Sequence, residues 1–364
     1  MNVGKIPESK PVGLYIHVPF CITKCNYCSF YSLEYDKITA NLYKSAIVRN
    51  VQNYIKSEQV CFDSVFFGGG TPSLLWHDIV DIVGALPLTR NAEVTIEANP
   101  CDIVSLHESE GLPTGGDCGL NRVSIGVQSL DDAVLQKLGR RHNAAQAVKA
   151  AELSKRAGFN NISVDIMLGI AGQSAKSLSE TIERLTALPI NHVSAYMYEQ
   201  NHGSVASLGD DESAEMYLQA VEVLARKGFM QYEISNFALP GFECRHNLKY
   251  WNCEEYIGIG AAAHSRYGNM RYAVPQDVES FVSASLQEVY VTEENPGGFE
   301  ERVMLGLRLS AGVDLASFTE AERKKLLQRA DLIPQEYIKI SENNISLTAR
   351  GFLVANSIIV ALVQ

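Results

Sequence analysis

Short runs rich in β-branched and aromatic residues recur along the chain, at residues 14–18, 64–67, 93–96, 122–127, 162–167 and 193–197, and read as strands. Between most of them lie longer segments in which apolar residues return every three or four positions, at 41–54, 144–157, 176–188 and 213–227. That spacing places the apolar side chains on one face of a helix. Strand and helix therefore alternate, which predicts an α/β architecture with a parallel sheet. Six such units fill about residues 12–230. A closed barrel needs eight, so the expectation is an incomplete, open (β/α)6 barrel. After 227 the rhythm gives way to Gly-, Pro- and aromatic-rich sequence through 272, and from about 300 it turns helical, with a short strand-like run at 345–347. This divides the chain into a barrel domain over 1–235 and a smaller, mainly helical C-terminal domain over 236–364. Residues 109–119, with four glycines, read as an irregular loop. Because 101–119 shows no helical period, the third helix is expected to be short or replaced by loop.

Composition narrows the function. With 46% hydrophobic and 20% charged residues over 364 positions, the chain can bury a large core. A formal charge of -11 argues against a polyphosphate-binding surface, so nucleic acid is not an expected partner. The amino-terminal residues have no signal-like apolar core, and no stretch approaches the roughly 18–20 apolar residues that cross a bilayer. A cytoplasmic location follows as the expectation, with association at a membrane surface left open. Eight cysteines in such a chain should be mostly thiols, and three of them crowd between residues 21 and 28.

Cys21, Cys25 and Cys28 form Cys-x3-Cys-x2-Cys directly after the first predicted strand. Three soft thiolates on one loop favour zinc or an iron–sulfur cluster. A structural zinc site is closed by four protein ligands, and no fourth cysteine follows at finger spacing, while nearby His17 falls within a strand pattern. Zinc stays open as the alternative. On a four-iron cluster, three cysteines leave one iron free to bind a small molecule.

The cysteine spacing is followed by Gly68-Gly69-Gly70-Thr71-Pro72-Ser73, Glu97-Ala98-Asn99-Pro100, Ser124-Ile125-Gly126-Val127-Gln128-Ser129 and Asp165-Ile166-Met167-Leu168-Gly169, and later by His246-Asn247-Leu248-Lys249-Tyr250-Trp251. The first four lie at or near the C-terminal ends of predicted strands, where parallel barrels collect their sites. Glycines after a strand let backbone approach a ligand closely, although such a run also serves as a plain turn. Glu97 and Asp165 end apolar strands, where an unpaired carboxylate is costly, so each calls for a buried partner or a ligand.

In this order the motifs resemble the radical S-adenosylmethionine superfamily. The resemblance implies a [4Fe-4S] cluster on Cys21, Cys25 and Cys28 whose open iron chelates the methionine part of S-adenosylmethionine. It implies Gly69, Gly70 and Thr71 beside the amino acid end of that cofactor, and Glu97, Gln128, Arg140 and Asp165 as further contacts. Tyr15 and Tyr27 match aromatic positions beside the cluster and the adenine. On local sequence alone Arg140, next to Arg141, also reads as a solvated charge.

Within the superfamily the chain resembles the HemW-type haem chaperones, formerly grouped with oxygen-independent coproporphyrinogen III oxidases. The oxidases carry a further cysteine two residues past the third ligand, where this chain has Phe30, and the His246–Trp251 segment matches the chaperones' HNxxYW motif. The flanking residues 232–238 and 256–260 match as well. The resemblance implies haem as cargo, an acceptor protein as partner and His246 as a haem contact. Imidazole binds iron and aromatic rings lie against porphyrins, yet a histidine among aromatics is also a common core element. His246 and Tyr250 share a face whether the segment is helical or extended. Cys244 is a second ligand candidate without support of its own. The alternative function is the oxidase itself, a radical decarboxylase of porphyrinogen propionates. A third is a zinc-stabilised barrel with an unrelated binding role. Departures from the family pattern are Ala171 for a usual proline, Ser29 for a frequent aspartate and Ala261-Ala262 for a Pro-Gly-like pair. Residues 301–310 and 347–362 resemble the family's winged-helix-like end.

Overall fold

The computed structural model describes residues 11–113, 118–198 and 205–364. Six strands run parallel in chain order: β1 (Val12–Val18), β2 (Phe62–Gly69), β3 (Leu88–Ala98), β4 (Arg122–Gln128), β5 (Asn161–Leu168) and β6 (His192–Met197). Each is followed by a helix: α1 (Lys37–Glu58), α2 (Trp76–Gly84), α3 (Pro100–Ser109), α4 (Ala144–Arg156), α5 (Ala175–Thr186) and α6 (Asp210–Arg226). The alternation along each strand explains how such a barrel is held together. One set of side chains, Leu14 and Ile16, Val65 and Phe67, Val94 and Ile96, Val123 and Ile125, Val164 and Ile166, is buried in the main apolar core. The alternate set is largely polar and points to the other face, by the two-residue period of a strand. It includes Tyr15, Ser64, Glu93, Thr95, Glu97, Arg122, Ser124, Ser163, Asp165, His192 and Ser194. The interior of the barrel is thus lined with polar groups and its jacket with apolar ones.

The helices start where side chains satisfy their free backbone N–H groups. Asp36 accepts from the Thr39 N–H at 2.7 Å, which begins α1 four residues before the first expected helical position. Asn143 and Ser174 form capping boxes on α4 and α5. Where the third helix is expected to be short or replaced by loop, Pro100–Ser109 forms a helix of 10 residues. Asn99 accepts from the Cys101 N–H at 3.2 Å, Pro100 occupies the first turn, and Ile103 and Val104 are buried. Those local signals outweigh the weak apolar period. Residues 114–117, within the loop expected at 109–119, lie outside the described residues.

The sheet continues beyond the six strands and past residue 235. At one end β7 (Asn236–Ala238) runs antiparallel to β6. At the other, β8 (Tyr256–Ile259) pairs parallel with β1, followed by β9 (His264–Tyr267), β10 (Met270–Ala273) and β11 (Tyr290–Glu294) as an antiparallel extension. The two ends of the sheet are not paired with each other, so the barrel is open. The smaller unit follows β11 and contains α8 (Phe299–Gly306), α9 (Glu320–Ala330), α10 (Ala355–Val363) and a separate three-stranded sheet. The expected division at residue 235 falls inside the large sheet. Among the described residues no helix is long and apolar enough to cross a membrane.

The HNxxYW segment forms a helix of its own, α7 (Arg245–Trp251), packed against the starts of β2 and β3. Glu93 receives the backbone N–H groups of Arg245 and His246 at 3.2 and 3.1 Å, an anion at a helix N-terminus. Lys249, only 6% exposed in its side chain, pairs with Asp63 at 2.9 Å and Glu254 at 3.1 Å. Helix α7 is therefore pinned by charge to the barrel end opposite the strand C-termini. Replacing Lys249 by Met should leave Asp63 without its cation and lower stability by about 2 kcal/mol, less than for a fully enclosed pair because Asp63 keeps some solvent. Urea unfolding followed by circular dichroism measures this, and an unchanged midpoint would show that the pair contributes nothing.

Candidate functional site

Eleven of the thirteen residues singled out in the sequence line one cavity of about 340 Å³ at the C-terminal ends of the strands. They are the three cysteines, Tyr27, Gly69, Gly70, Thr71, Glu97, Gln128, Arg140 and Asp165. Tyr15 and His246 do not reach it. Ser124, Met167, Tyr196 and Arg141 also line the wall. Of these, Ser124, Met167 and Tyr196 lie at even spacing with expected interior positions, a signal that strand alternation carries.

The cysteine loop is tied down on both sides. The Asn26 N–H donates to the Leu138 carbonyl at 3.1 Å, and its side-chain amide to the Lys137 carbonyl at 3.1 Å. The Tyr35 N–H donates to the Cys21 carbonyl at 2.9 Å. All three cysteines are partly exposed free thiols. Two receive hydrogen bonds on sulfur: Arg140 donates to Cys25 Sγ at 3.2 Å and Thr71 to Cys21 Sγ at 3.4 Å. Burial pushes the Cys28 thiol up. Among the described residues no three His, Cys, Asp or Glu side chains gather closely enough to hold a single metal ion. Three thiols facing one cavity without such convergence fit a larger multi-atom group better than a lone zinc.

Across the cavity the glycine turn approaches by backbone. The Gly70 and Thr71 N–H groups donate to the Val18 and Phe20 carbonyls, both at 2.8 Å. A Cβ on Gly70 would lie 2.7 Å from the Phe20 carbonyl oxygen, and one on Gly69, whose φ is +112°, would lie 2.5 Å from the His17 ring. His17 is a residue that the sequence left aside. Its Nδ1 accepts from the Tyr15 hydroxyl and its Nε2 donates to the Tyr31 carbonyl, each at 3.0 Å, so it braces both β1 and the end of the cysteine loop. It has no free nitrogen for a metal. Gln128 also stands at positive φ, +66°, an unusual conformation for a side chain of its size, at the end of β4 on the cavity wall.

Glu97 and Asp165 face the cavity from within the barrel. The Gly69 N–H donates to Glu97 at 3.2 Å, and the Ser124 hydroxyl to Asp165 at 3.3 Å. Both open on the cavity and are otherwise packed inside the barrel, so solvent reaches them poorly. Burial first, and then repulsion from Asp165, pushes Glu97 up to about 8. Burial raises Asp165 as well, opposed by Ser194, Arg122 and Ser124. Arg140 is no solvated charge: besides Cys25 it donates to the Gly126 carbonyl at 2.6 Å and to the Tyr27 hydroxyl at 3.4 Å. The cavity offers soft sulfur on one wall, carboxylates on another and backbone polar groups between them. That set suits an amino acid or nucleoside-like cation bound beside a metal–sulfur group.

His246 lies at the other end. Its ring is fully buried, Nδ1 shares a hydrogen bond with Ser64 at 3.0 Å and Nε2 one with Tyr250 at 2.8 Å. It stacks against Phe66 and Tyr15 at centroid distances of 5.5 and 6.4 Å. The helical pairing of His246 with Tyr250 is as the sequence predicts, but both nitrogens are engaged. Burial, with Lys249 nearby, pushes His246 down to about 3, so the ring is neutral. Tyr15 belongs to the same buried stack, beneath the cavity rather than on its wall. Cys244 is also fully buried, against Glu93.

Over residues 15–185 the chain matches the Radical SAM superfamily, and over 299–354 the HemN C-terminal domain. It is 32% identical to the heme chaperone HemW of Lactococcus lactis over 372 residues, 96% of each chain. It is 30% identical to the mitochondrial Radical S-adenosyl methionine domain-containing protein 1 of Bos taurus, over 98% of this chain and 88% of that one. In structure it is similar to coproporphyrinogen III oxidase (HemN) from Escherichia coli, a Radical SAM enzyme, with a TM-score of 0.79 at 17% identity over 97% and 90% of the two chains. At that identity the likeness concerns the fold alone.

The raised Glu97 carboxyl has a consequence for stability. Between its ordinary value of 4.5 and about 8 the folded protein holds a proton that the unfolded chain has released, so this group lowers stability as pH rises through that window. Glu97→Gln removes the titration. The variant, free of added cofactor, should gain melting temperature relative to the unsubstituted protein as pH goes from 5 to 8; a difference that stays flat would place Glu97 at an ordinary carboxylate value.

Proposed function

The chain belongs to the radical S-adenosylmethionine superfamily, within the group of proteins named heme chaperone HemW, and from there we propose that it binds haem and passes it to an acceptor protein in the cytoplasm. The observation that carries the reading is the single cavity in which three half-buried thiols face Glu97, Asp165 and Arg140. Cys21, Cys25 and Cys28 hold a [4Fe-4S] cluster, and S-adenosylmethionine lies across the strand ends. When bound, the cluster would supply an open iron for the methionine part of the cofactor. The chain's own residues bind and orient. Arg140 and Thr71 stabilise cysteine sulfurs by hydrogen bonding, and Gly69 and Gly70 let the amino acid end of the cofactor approach the backbone. Glu97, once ionised, attracts the ammonium group, while Asp165, held by the Ser124 hydroxyl, accepts from hydroxyl groups of the cofactor. Gln128 and Tyr27 complete the wall.

Phe30 favours the chaperone over the oxidase. It lines the cavity, is 65% exposed and offers an apolar surface where a further thiol would stand. Ile22, also on the wall and 46% exposed, adds to an apolar rim that suits a flat porphyrin. For His246 to reach iron, its ring must first leave Ser64 and Tyr250, which puts haem contact at this residue behind an opening of α7.

Anaerobic reconstitution should yield about four iron and four sulfide per chain. Added S-adenosylmethionine should alter the electron paramagnetic resonance spectrum of the reduced cluster, and coproporphyrinogen III should stay unconverted. Bound zinc without sulfide would refute the cluster, and steady decarboxylation would establish the oxidase. Changing Cys61, Cys101, Cys118, Cys244 or Cys253 to Ala should not alter iron content. His246→Ala should lower the melting temperature by several degrees, from the cavity and the unpaired Ser64 and Tyr250 hydroxyls, while the haem absorption band keeps its position. Loss of that band with unchanged melting and iron–sulfur signal would put the imidazole on haem iron.

A further inference from the structure

Three consecutive side chains just before α4 reach three different parts of the site. Arg140 donates to Cys25 and the Gly126 carbonyl, and His142 Nε2 donates to the Val127 carbonyl at 2.9 Å. Arg141, between them, donates to Asp102 Oδ1 at 2.6 Å. Asp102 stands in the first turn of α3, and its other oxygen accepts from the Ser73 hydroxyl at 2.9 Å. The Ser73 oxygen in turn accepts from the Asn99 N–H at 3.2 Å. One carboxylate therefore ties together the glycine turn, the end of β3 beyond Glu97, and the segment that carries Arg140. Its side chain is 11% exposed and that of Arg141 25%, so the pair is shielded far more than an ordinary surface ion pair. Both bonds are charge-assisted, the stronger class of hydrogen bond, and the carboxylate sits at a helix N-terminus where negative charge is favoured.

We infer that Asp102 is a positioning residue for the cofactor cradle. Neither Asp102 nor Ser73 is on the cavity wall, whereas the groups they fix, Gly69 to Thr71 on one side and Arg140 on the other, face each other across it. By holding Ser73 with one oxygen and Arg141 with the other, Asp102 sets the spacing between the glycine turn and the arginine that bonds Cys25. Without it the turn keeps its backbone bonds to the cysteine strand and its contacts with Glu97 and Cys21 but loses its tie through Ser73 to α3, and the arginine segment loses its link to α3 as well. The inference rests on the proposed cofactor site, and its test separates the two.

The test uses the full chain, reconstituted anaerobically and titrated with S-adenosylmethionine, with the cluster's paramagnetic spectrum as readout. Asp102→Ala should weaken binding about tenfold, with iron and sulfide content equal to that of the unsubstituted protein. Asp102→Asn, which keeps the shape and loses the charge, should fall between. Adding Arg141→Ala to Asp102→Ala should cost little more, because both remove the same link. In the protein without cluster, backbone amides of residues 69–73 should exchange hydrogen faster in Asp102→Ala, and in the milder Ser73→Ala variant, which keeps the test open if Asp102→Ala fails to fold. Unchanged binding and exchange would overturn the inference, as would full additivity of the two substitutions, which would make Arg141 a direct contact. If the unsubstituted protein itself shows no response to S-adenosylmethionine, the site reading fails, and the exchange rates alone still decide whether Asp102 holds the turn.

Discussion

Two carboxylates held inside the mouth of a parallel barrel are the constraint around which the rest is arranged. Glu97 and Asp165 stand on β3 and β5 with β4 between them, and each disfavours ionisation of the other. The molecule answers with dipoles rather than with close ion pairs. A backbone N–H from the glycine turn meets Glu97, and serine hydroxyls meet Asp165. Arg122, 2% exposed on β4, acts on Asp165 through the interior as a charge rather than as a contact. A site organised this way commits neither carboxylate to an internal salt bridge, so a cationic ligand that favours their ionisation meets no internal cation in close contact with them.

Much of this is written locally in the chain. The six strands and four of the helices follow from apolar period, and eleven of the residues marked by the cysteine spacing and its following motifs line one cavity. Where local signals say less than the structure, the reason is specific. Helix α3 is marked by an asparagine cap and a proline rather than by periodic apolar residues, so a search for period passes over it. His246 carries the chemistry of a ligand, and only the long-range meeting with Ser64, 182 positions away, shows its ring engaged on both sides. Arg140 and Arg141 are adjacent and alike in sequence, yet one bonds a cysteine and the other an aspartate 39 positions earlier. Nothing in the local sequence distinguishes them.

The barrel has two dissimilar ends. At the mouth, glycines, thiols and charged groups leave space. At the opposite end α7 fills the interior with His246, Tyr250 and Lys249, each partnered inside the protein. Tyr15 and Phe66 connect the two regions by stacked rings, and His17 carries the connection on to the cysteine loop. Arg308 from the smaller C-terminal unit lies over the Trp251 ring of α7 at 5.9 Å, so the unit with no residue on the cavity wall still supports the barrel's closed end.

The pairing of β1 with β8 also bears on how the molecule comes into being. Tyr15 lies beside Phe66 on one side and Gly258 on the other. The first neighbour is made soon after it, the second roughly 240 residues later. Contacts that distant in sequence carry a large loop-closure cost and form late. During synthesis the strand leading into the cysteines therefore waits as a free edge while most of the chain is still being made. Such edges invite pairing with other chains until they are covered. The cysteine segment is made roughly 240 residues before the last of the strands that pair with β1.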